Sequence, residues 1–118
     1  MKERQECALK ILQAWQRKDV NIIKDIITDD TIYKEHFGDK TYRGKDEILE
    51  RCKEFYANHD LISYDVRQVI YKDFQLVFDW ECSYLCHEKE MRRSRMSIIK
   101  FTEDHKIESL KEYASTFS

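Results

Sequence analysis

The stretch of sequence that decides the fold is LVFDWECSYLC, which runs from Leu76 to Cys86. Successive side chains of a β-strand point to opposite faces of the sheet, so strict alternation indicates a strand with one buried face. The apolar face contains Leu76, Phe78, Trp80, Cys82, Tyr84 and Cys86. The opposite face is mostly polar, with Asp79, Glu81 and Ser83. This stretch therefore predicts an antiparallel sheet that buries one of its sides.

Further strands lie on both sides of this one along the chain. Residues 62–71 alternate in the same way, and a reversal of their phase predicts a β-bulge near Arg67 and Gln68. Met91–Phe101 and Lys106–Tyr113 supply two more strands. The turns consist largely of charged residues, namely Lys72-Asp73-Phe74, Glu88-Lys89-Glu90 and Glu103-Asp104-His105. The second half of the chain is thus a meander of strands.

The first half of the chain shows helical periodicity instead. Apolar residues of Cys7–Trp15 recur at spacings of three and four, which places them on one face of a helix. Asp19 caps a second helix, and Thr31–Phe37 is rich in residues that favour strands. A third helix begins at Gly44, and Gly38 permits the turn before it. The order α-α-β-α-β-β-β-β predicts an α+β fold, with helices on one face of a curved antiparallel sheet.

Length and composition narrow the function classes. The chain has 118 residues, which suits a single domain spanning 1–118, and it has two glycines and no proline. Glycine-rich motifs that bind dinucleotides are thereby excluded. The net charge of −2 argues against a nucleic-acid binder, which would have a strongly basic surface. No apolar run approaches the ~20 residues of a membrane span. Because no signal-peptide pattern is present, we expect a cytoplasmic protein with neither a membrane nor a nucleic acid as partner.

Four stretches stand out by their order and spacing, and they are Gln13–Asp19, Ile27–Tyr33, Tyr42–Ile48 and Ile98–Ile107. Through them the chain resembles the nuclear-transport-factor-2-like superfamily, and it looks most similar to small bacterial SnoaL-like proteins of unassigned activity. The resemblance implies a cone-shaped sheet wrapped on three helices, a homodimer formed through the outer sheet face, and chemistry without a cofactor. Asp104 and His105 stand where many relatives have a glycine.

The resemblance also implies a catalytic position. In isomerase-like relatives a carboxylate late in the first strand is the general base, and Glu35 occupies that position here. The alternative is a glutamate exposed at the end of a strand. Ile11 and Ser97 replace the oxyanion-binding tyrosine and aspartic acid of those isomerases, so steroid isomerisation is not expected. Glu35 is therefore the main candidate, and Ser97 is a weak hydrogen-bond donor beside it.

Arg95 is the other charged candidate, because it shares a strand face with Ser97. Two functional interpretations remain open: Arg95 pairs with Glu35 and holds it ionised, or Arg95 binds an anionic ligand. A third interpretation is a solvated residue near the edge of the sheet. Arginines beside a turn are usually solvated, and this is what we expect for Arg92 and Arg93.

Cys82, Cys86 and His87 raise the question of a metal site. The two cysteines would lie about 13 Å apart along an extended strand, and His87 faces the other side. Zinc requires ligand atoms about 2.0–2.3 Å from one point, so no metal site is expected.

Mostly aromatic residues are expected to line the interior of the cone. The candidates are Trp15, Tyr33, Phe55, Phe78, Trp80, Tyr84, Ile99, Phe101 and Tyr113. Such a lining favours a flat, apolar or aromatic ligand. Two functions remain open. One is a binding protein for a small hydrophobic molecule, and the other is a cofactor-independent isomerase, cyclase or dehydratase that uses Glu35 as its base.

Overall fold

A computed structural model of the chain describes residues 2–17 and 19–114. These residues form three helices, which are α1 (Lys2–Arg17), α2 (Val20–Ile26) and α3 (Gly44–Asn58). They also form six strands, which are β1 (Ile27–Glu35), β2 (Lys40–Arg43), β3 (Asp60–Lys72), β4 (Gln75–Cys86), β5 (Lys89–Phe101) and β6 (Ile107–Ala114). The predicted order of elements is confirmed, and the short β2 is an addition to it. Among the described residues, no helix is long and apolar enough to cross a membrane.

The six strands form one sheet in the order β2-β1-β6-β5-β4-β3. Neighbouring strands are antiparallel, except that β1 and β6 run parallel. The sheet is therefore mixed, whereas the sequence predicted antiparallel pairing throughout. A hairpin forces its two strands to be antiparallel, but β1 and β6 are separated by residues 36–106, which are more than half of the chain. Local sequence consequently carries no signal for their relative direction.

The helices are stabilised at the positions that the sequence indicated. The side chain of Asp19 accepts a hydrogen bond from the backbone N–H of Asn21 at 3.1 Å, which confirms the predicted N-cap of α2. In α3, Asp46 and Glu47 lie in the first turn, where negative charge interacts favourably with the helix dipole. The buried stripe of the same helix includes Ile48 and packs α3 against β1.

The core lies between the helices and the inner face of the sheet. Of the alternating residues of β4, those from Leu76 to Tyr84 are buried and Cys86 is half-buried. Burial of a large apolar side chain such as Phe78 stabilises the fold by about 1.5–3 kcal/mol. The predicted bulge in β3 is confirmed, because the pairing with β4 shifts between Val66 and Gln68. The outer face of the sheet keeps exposed apolar residues such as Ile62 and Ile70, and a homodimer through this face stays a prediction.

The tight turns of the meander use residues other than glycine in the left-handed region of backbone space. Asp73 and Phe74 form one two-residue turn, and His87 and Glu88 form another, all with positive φ. The second turn lies one residue earlier than predicted, because Cys86 pairs with Lys89. In the last hairpin, His105 has φ of 64°, so it occupies the conformation that a glycine adopts readily.

We expect Glu88→Gly to stabilise the protein by about 0.5–1 kcal/mol. The left-handed conformation costs a side-chain-bearing residue about 1–2 kcal/mol, and glycine removes this cost while adding some unfolded-state entropy. Thermal unfolding should show the midpoint rising by about 2–6 °C. The matched control is Glu90→Gly in the adjacent strand, where φ is not positive and glycine should destabilise by about 0.5–1 kcal/mol. A loss of stability in both variants contradicts the prediction.

Candidate functional site

Glu35 lies at the end of β1 and is only 4% exposed. The structure thus places it inside the protein and not on the surface. Its Oε2 atom accepts hydrogen bonds from the hydroxyl of Tyr33 at 2.8 Å and from Nε of Arg51 at 3.0 Å. Tyr33 points to the same side of the strand because it lies two residues earlier. Arg51 comes from α3, which packs across β1.

A second buried carboxyl group lies on the neighbouring strand. Glu112 of β6 is 3% exposed and is directly opposite Glu35 in the parallel register of β1 and β6. The hydroxyl group of Tyr33 also forms a short hydrogen bond with Oε1 of Glu112. Tyr33 therefore bridges the two carboxyl groups. We call Glu35, Tyr33 and Glu112 the carboxyl bridge.

Ser97 and Trp80 support the carboxyl bridge from the side of the core. The hydroxyl group of Ser97 donates a hydrogen bond to Oε2 of Glu112 at 2.8 Å. Ser97 in turn accepts a hydrogen bond from Nε1 of Trp80 at 2.8 Å. Since Trp80 is a donor only, the direction of this series is settled, and the single hydroxyl proton of Ser97 points to Glu112. Ser97 thus positions Glu112.

The hydroxyl group of Tyr33 lies between the two carboxyl groups of the carboxyl bridge. It has a single proton, so it fully donates to only one of them at a time. Arg51 pairs with Glu35 and supplies a positive charge on that side of the bridge. Two carboxyl groups and one cation therefore surround a single phenol hydroxyl group.

Burial and neighbouring charges keep the phenol of Tyr33 neutral and the guanidinium of Arg51 positively charged. Burial, followed by the charges of Glu112 and Glu35, raises the pKa of Tyr33 well above its usual value, so the phenol remains protonated. Burial lowers the pKa of Arg51, but its hydrogen bond to Glu35 and the charge of Glu35 outweigh this effect. The net pKa of Arg51 is raised, and it stays a cation.

A cavity of about 300 Å³ opens above the carboxyl bridge. Its polar lining consists of Glu35, Glu112, Arg51, Arg93, Arg95 and His59. Its remaining lining consists of Tyr33, Phe37, Phe55, Tyr84, Cys52 and Cys82. The ring of His59 stacks on Phe55 with 4.4 Å between centroids and meets the ring of Tyr84 edge-on at 4.7 Å. These three packed rings form an aromatic part of the cavity lining.

Some of the predicted lining residues reach this cavity and others do not. Tyr33, Phe55 and Tyr84 line it together with Arg95. The other predicted residues with described side chains do not line it: Phe78, Ile99 and Phe101 are buried in the core, Trp80 is bonded to Ser97, and Tyr113 stacks on His36. The side chain of Trp15 lies outside the described residues.

Arg95 does not pair with Glu35, whose cationic partner is Arg51. The guanidinium of Arg95 lies 4.2 Å from the ring centroid of Phe37, and its Nη1 atom donates to the carbonyl of Ser94 at 3.0 Å. Burial, followed by the charge of Arg93, lowers the pKa of Arg95. Both arginines line the cavity, although Arg93 was expected to be a solvated residue.

Sequence reasoning did not identify Arg51 or Glu112 as members of the site. A weak signal exists for each of them. Arg51 follows Ile48 by three residues and therefore borders the buried stripe of α3. Glu112 follows Leu110 by two residues and therefore shares its buried face of β6. A charged residue on an apolar face indicates a buried polar partner, which here is Glu35 or Tyr33.

Comparison with known proteins agrees with this architecture. The family model for the SnoaL-like domain matches residues 8–110. No match to a curated protein was found. An NTF2-like protein of unknown function from Cytophaga hutchinsonii has a TM-score of 0.77 at 20% identity, covering 93% of this chain and 97% of its own. An LEH-like epoxide hydrolase from M. tuberculosis has a TM-score of 0.79 at 12% identity, covering 98% of this chain and 84% of its own.

A third similar structure comes from Catenulispora acidiphila, a protein with a ketosteroid isomerase-like fold in complex with trimethylamine. Its TM-score is 0.73 at 14% identity, and the match covers 87% of this chain and 80% of its own. Identities this low establish a shared fold, and they carry no information about whether the chemistry is shared. Because the family model spans most of the chain, this protein belongs to the SnoaL-like domain family.

Proposed function

We propose that this protein binds a small, flat molecule in the cavity above the carboxyl bridge. The observation that carries the proposal is a cavity of about 300 Å³ lined by aromatic rings and by several polar groups, of which Glu35 and Glu112 are buried. Sites for small molecules are usually concave, with apolar walls and a few fixed polar groups that orient the ligand. The volume suits a molecule of one or two fused rings.

The packed rings of Phe55, His59 and Tyr84 favour a flat ligand. They already contact one another, so a ligand that stacks on them does not have to order them. A well-placed aromatic contact contributes about 0.5–1.5 kcal/mol beyond the burial of area. The carboxyl bridge then interacts with a hydroxyl or carbonyl group of the ligand and determines its orientation.

The proposal is tested with 2-naphthol as a neutral flat probe. We expect saturable binding in isothermal titration calorimetry, and loss of that binding in Cys82→Phe. Cys82 is 4% exposed and lines the cavity, so a ring at this position occupies the ligand volume. The matched control is Leu85→Phe, which adds a ring to the exposed outer face of the same strand and should leave binding unchanged. Equal binding by the wild type and Cys82→Phe would show that the probe binds outside the cavity, and it would contradict the proposal.

A second candidate function is proton transfer without a cofactor, and the carboxyl bridge favours it. In this proposal Glu35 takes a proton from a ligand carbon next to a carbonyl, and Glu112 carries a proton that it gives to the carbonyl oxygen. The ligand is then an enol. Glu35 returns its proton at another carbon while Glu112 takes back the proton of the enol hydroxyl, so the ligand is isomerised and both carboxyl groups regain their starting states.

The ion pair with Arg51 limits this chemistry. Protonation of Glu35 weakens its ion pair with Arg51, and this cost adds to the barrier of proton abstraction. The candidate reactions are therefore those of acidic carbon–hydrogen bonds, such as isomerisation or cyclisation next to a carbonyl group. The scaffold supports varied chemistry, since one similar structure is described as an epoxide hydrolase.

A further inference from the structure

Arg93 and Arg95 bring two positive charges to one side of the cavity. They lie two residues apart on β5 and therefore share one face of the strand. Both are half-buried, and neither forms an ion pair with any residue that the structure describes. The guanidinium group of each donates one hydrogen bond, to the carbonyl of the preceding residue. Within the described part of the chain, most of the guanidinium N–H groups have no acceptor.

The other charges of the cavity compensate these two cations only in part. Glu35 is neutralised by Arg51, and Glu112, which attracts Arg95, is one carboxyl group facing two arginines. Arg93 and Arg95 repel each other, and partial burial removes part of the water that would screen them. In the free protein this arrangement is unfavourable, which makes a structural role for the pair a poor explanation.

Aromatic contacts hold the two guanidinium groups in place. Arg95 lies over the ring of Phe37 at 4.2 Å from its centroid, and Arg93 lies 5.8 Å from the centroid of Tyr84. A cation–π contact leaves the N–H groups of a guanidinium available for hydrogen bonds. These N–H groups bind the two oxygens of a carboxylate side by side, with little loss of side-chain freedom on binding.

We infer that the ligand carries a carboxylate, held by Arg95 and Arg93, at the opposite end from its ring system. The ligand class is thus the flat cyclic or aromatic carboxylic acids. This inference rests on the proposed binding function and names its ligand class. In this orientation the ring system stacks on the wall of Phe55 and Tyr84.

The test compares 2-naphthoate with 2-naphthamide, which has the same ring system and shape but no charge. We expect the wild type to bind 2-naphthoate at least tenfold more tightly than 2-naphthamide in isothermal titration calorimetry. Arg95→Gln should lose this preference and retain the affinity for 2-naphthamide, which also shows that the variant is folded. Arg93→Gln should weaken the preference in the same direction. Arg92→Gln removes the same charge from an exposed neighbouring position on β5 and should keep the full preference.

The outcomes separate the inference from the function on which it rests. Equal affinity of the wild type for the acid and the amide overturns the carboxylate site, while the cavity remains a site for flat molecules. The same conclusion holds if Arg92→Gln and Arg95→Gln lose the preference equally, because the effect is then one of net charge. If neither of these probes nor 2-naphthol binds, the proposed function itself fails, and the carboxylate site fails with it.

Discussion

Glu35→Gln is expected to lower the free energy of unfolding by about 2–3 kcal/mol, whereas Glu112→Gln should lower it by less than about 1 kcal/mol. Loss of the charge of Glu35 leaves Arg51 without its carboxylate, and breaking a fully buried ion pair costs about 3–5 kcal/mol. The side chain of Arg51 is 26% exposed, so water compensates part of that cost. The expected loss is correspondingly smaller than for a fully buried pair.

The small effect at Glu112 follows from the hydrogen bonds that glutamine can replace. A glutamine carbonyl accepts the hydrogen bond of Ser97, and the glutamine amide donates to the oxygen of Tyr33, whose own proton then serves Glu35. Urea unfolding with a common m-value measures both variants. A larger loss in Glu112→Gln than in Glu35→Gln would contradict this difference between the two carboxyl groups.

Glu35→Gln also tests the second candidate function. If the carboxyl bridge transfers protons, the wild type should speed the exchange of the α-hydrogens of 1-indanone with deuterium oxide, as followed by proton NMR. Glu35→Gln should abolish this acceleration, since an amide cannot accept the proton. If the exchange rate with the wild type equals the rate in buffer alone, proton transfer is ruled out as a function of the carboxyl bridge. Ligand binding then remains the proposed function.

Gly44→Ala should destabilise the protein by about 2–3 kcal/mol, and Gly38→Ala should change the stability by less than about 0.5 kcal/mol. Gly44 has φ of +82°, where a side chain is strained by about 1–2 kcal/mol. A Cβ atom there would also lie 3.0 Å from the backbone oxygen of Asp29, which belongs to β1 and cannot move aside as a flexible side chain does. The reduced entropy of the unfolded chain offsets only about 0.4–1 kcal/mol.

Gly38 is the matched control for this substitution. No heavy atom lies within 4 Å of a Cβ atom placed at Gly38, and its φ is not in the left-handed region. The residue in that turn with a positive φ is Asp39, at 50°, so Gly38 is not the residue that permits the turn. Thermal and urea unfolding of the two variants measure the difference. Similar losses in both would show that the contact between Gly44 and Asp29 relaxes without cost.

Features with a local cause could be predicted from the sequence. The alternation of β4, the cap at Asp19 and the bulge at Arg67 depend on residues close together in the chain, and all of them are present in the structure. Glu35 was also identified as a candidate through the family resemblance, and the structure places it in the cavity lining. The turn between β4 and β5 lies one residue earlier than predicted. Without a glycine, the sequence gives only a weak signal for which residues adopt a positive φ.

The sequence, with the family resemblance it carries, thus indicated the class of fold, the order of its elements and two charged residues of the cavity, Glu35 and Arg95. Only the tertiary structure decided which charges meet. Tyr33 and Glu112 lie 79 positions apart, and they come into contact because β1 and β6 pair in parallel. Arg51 reaches Glu35 because α3 packs against β1, and Arg95 and Arg93 form no ion pair within the described residues. Periodicity reports which face of an element is buried, whereas partners across the core depend on how separate elements pack, and that depends on the whole chain.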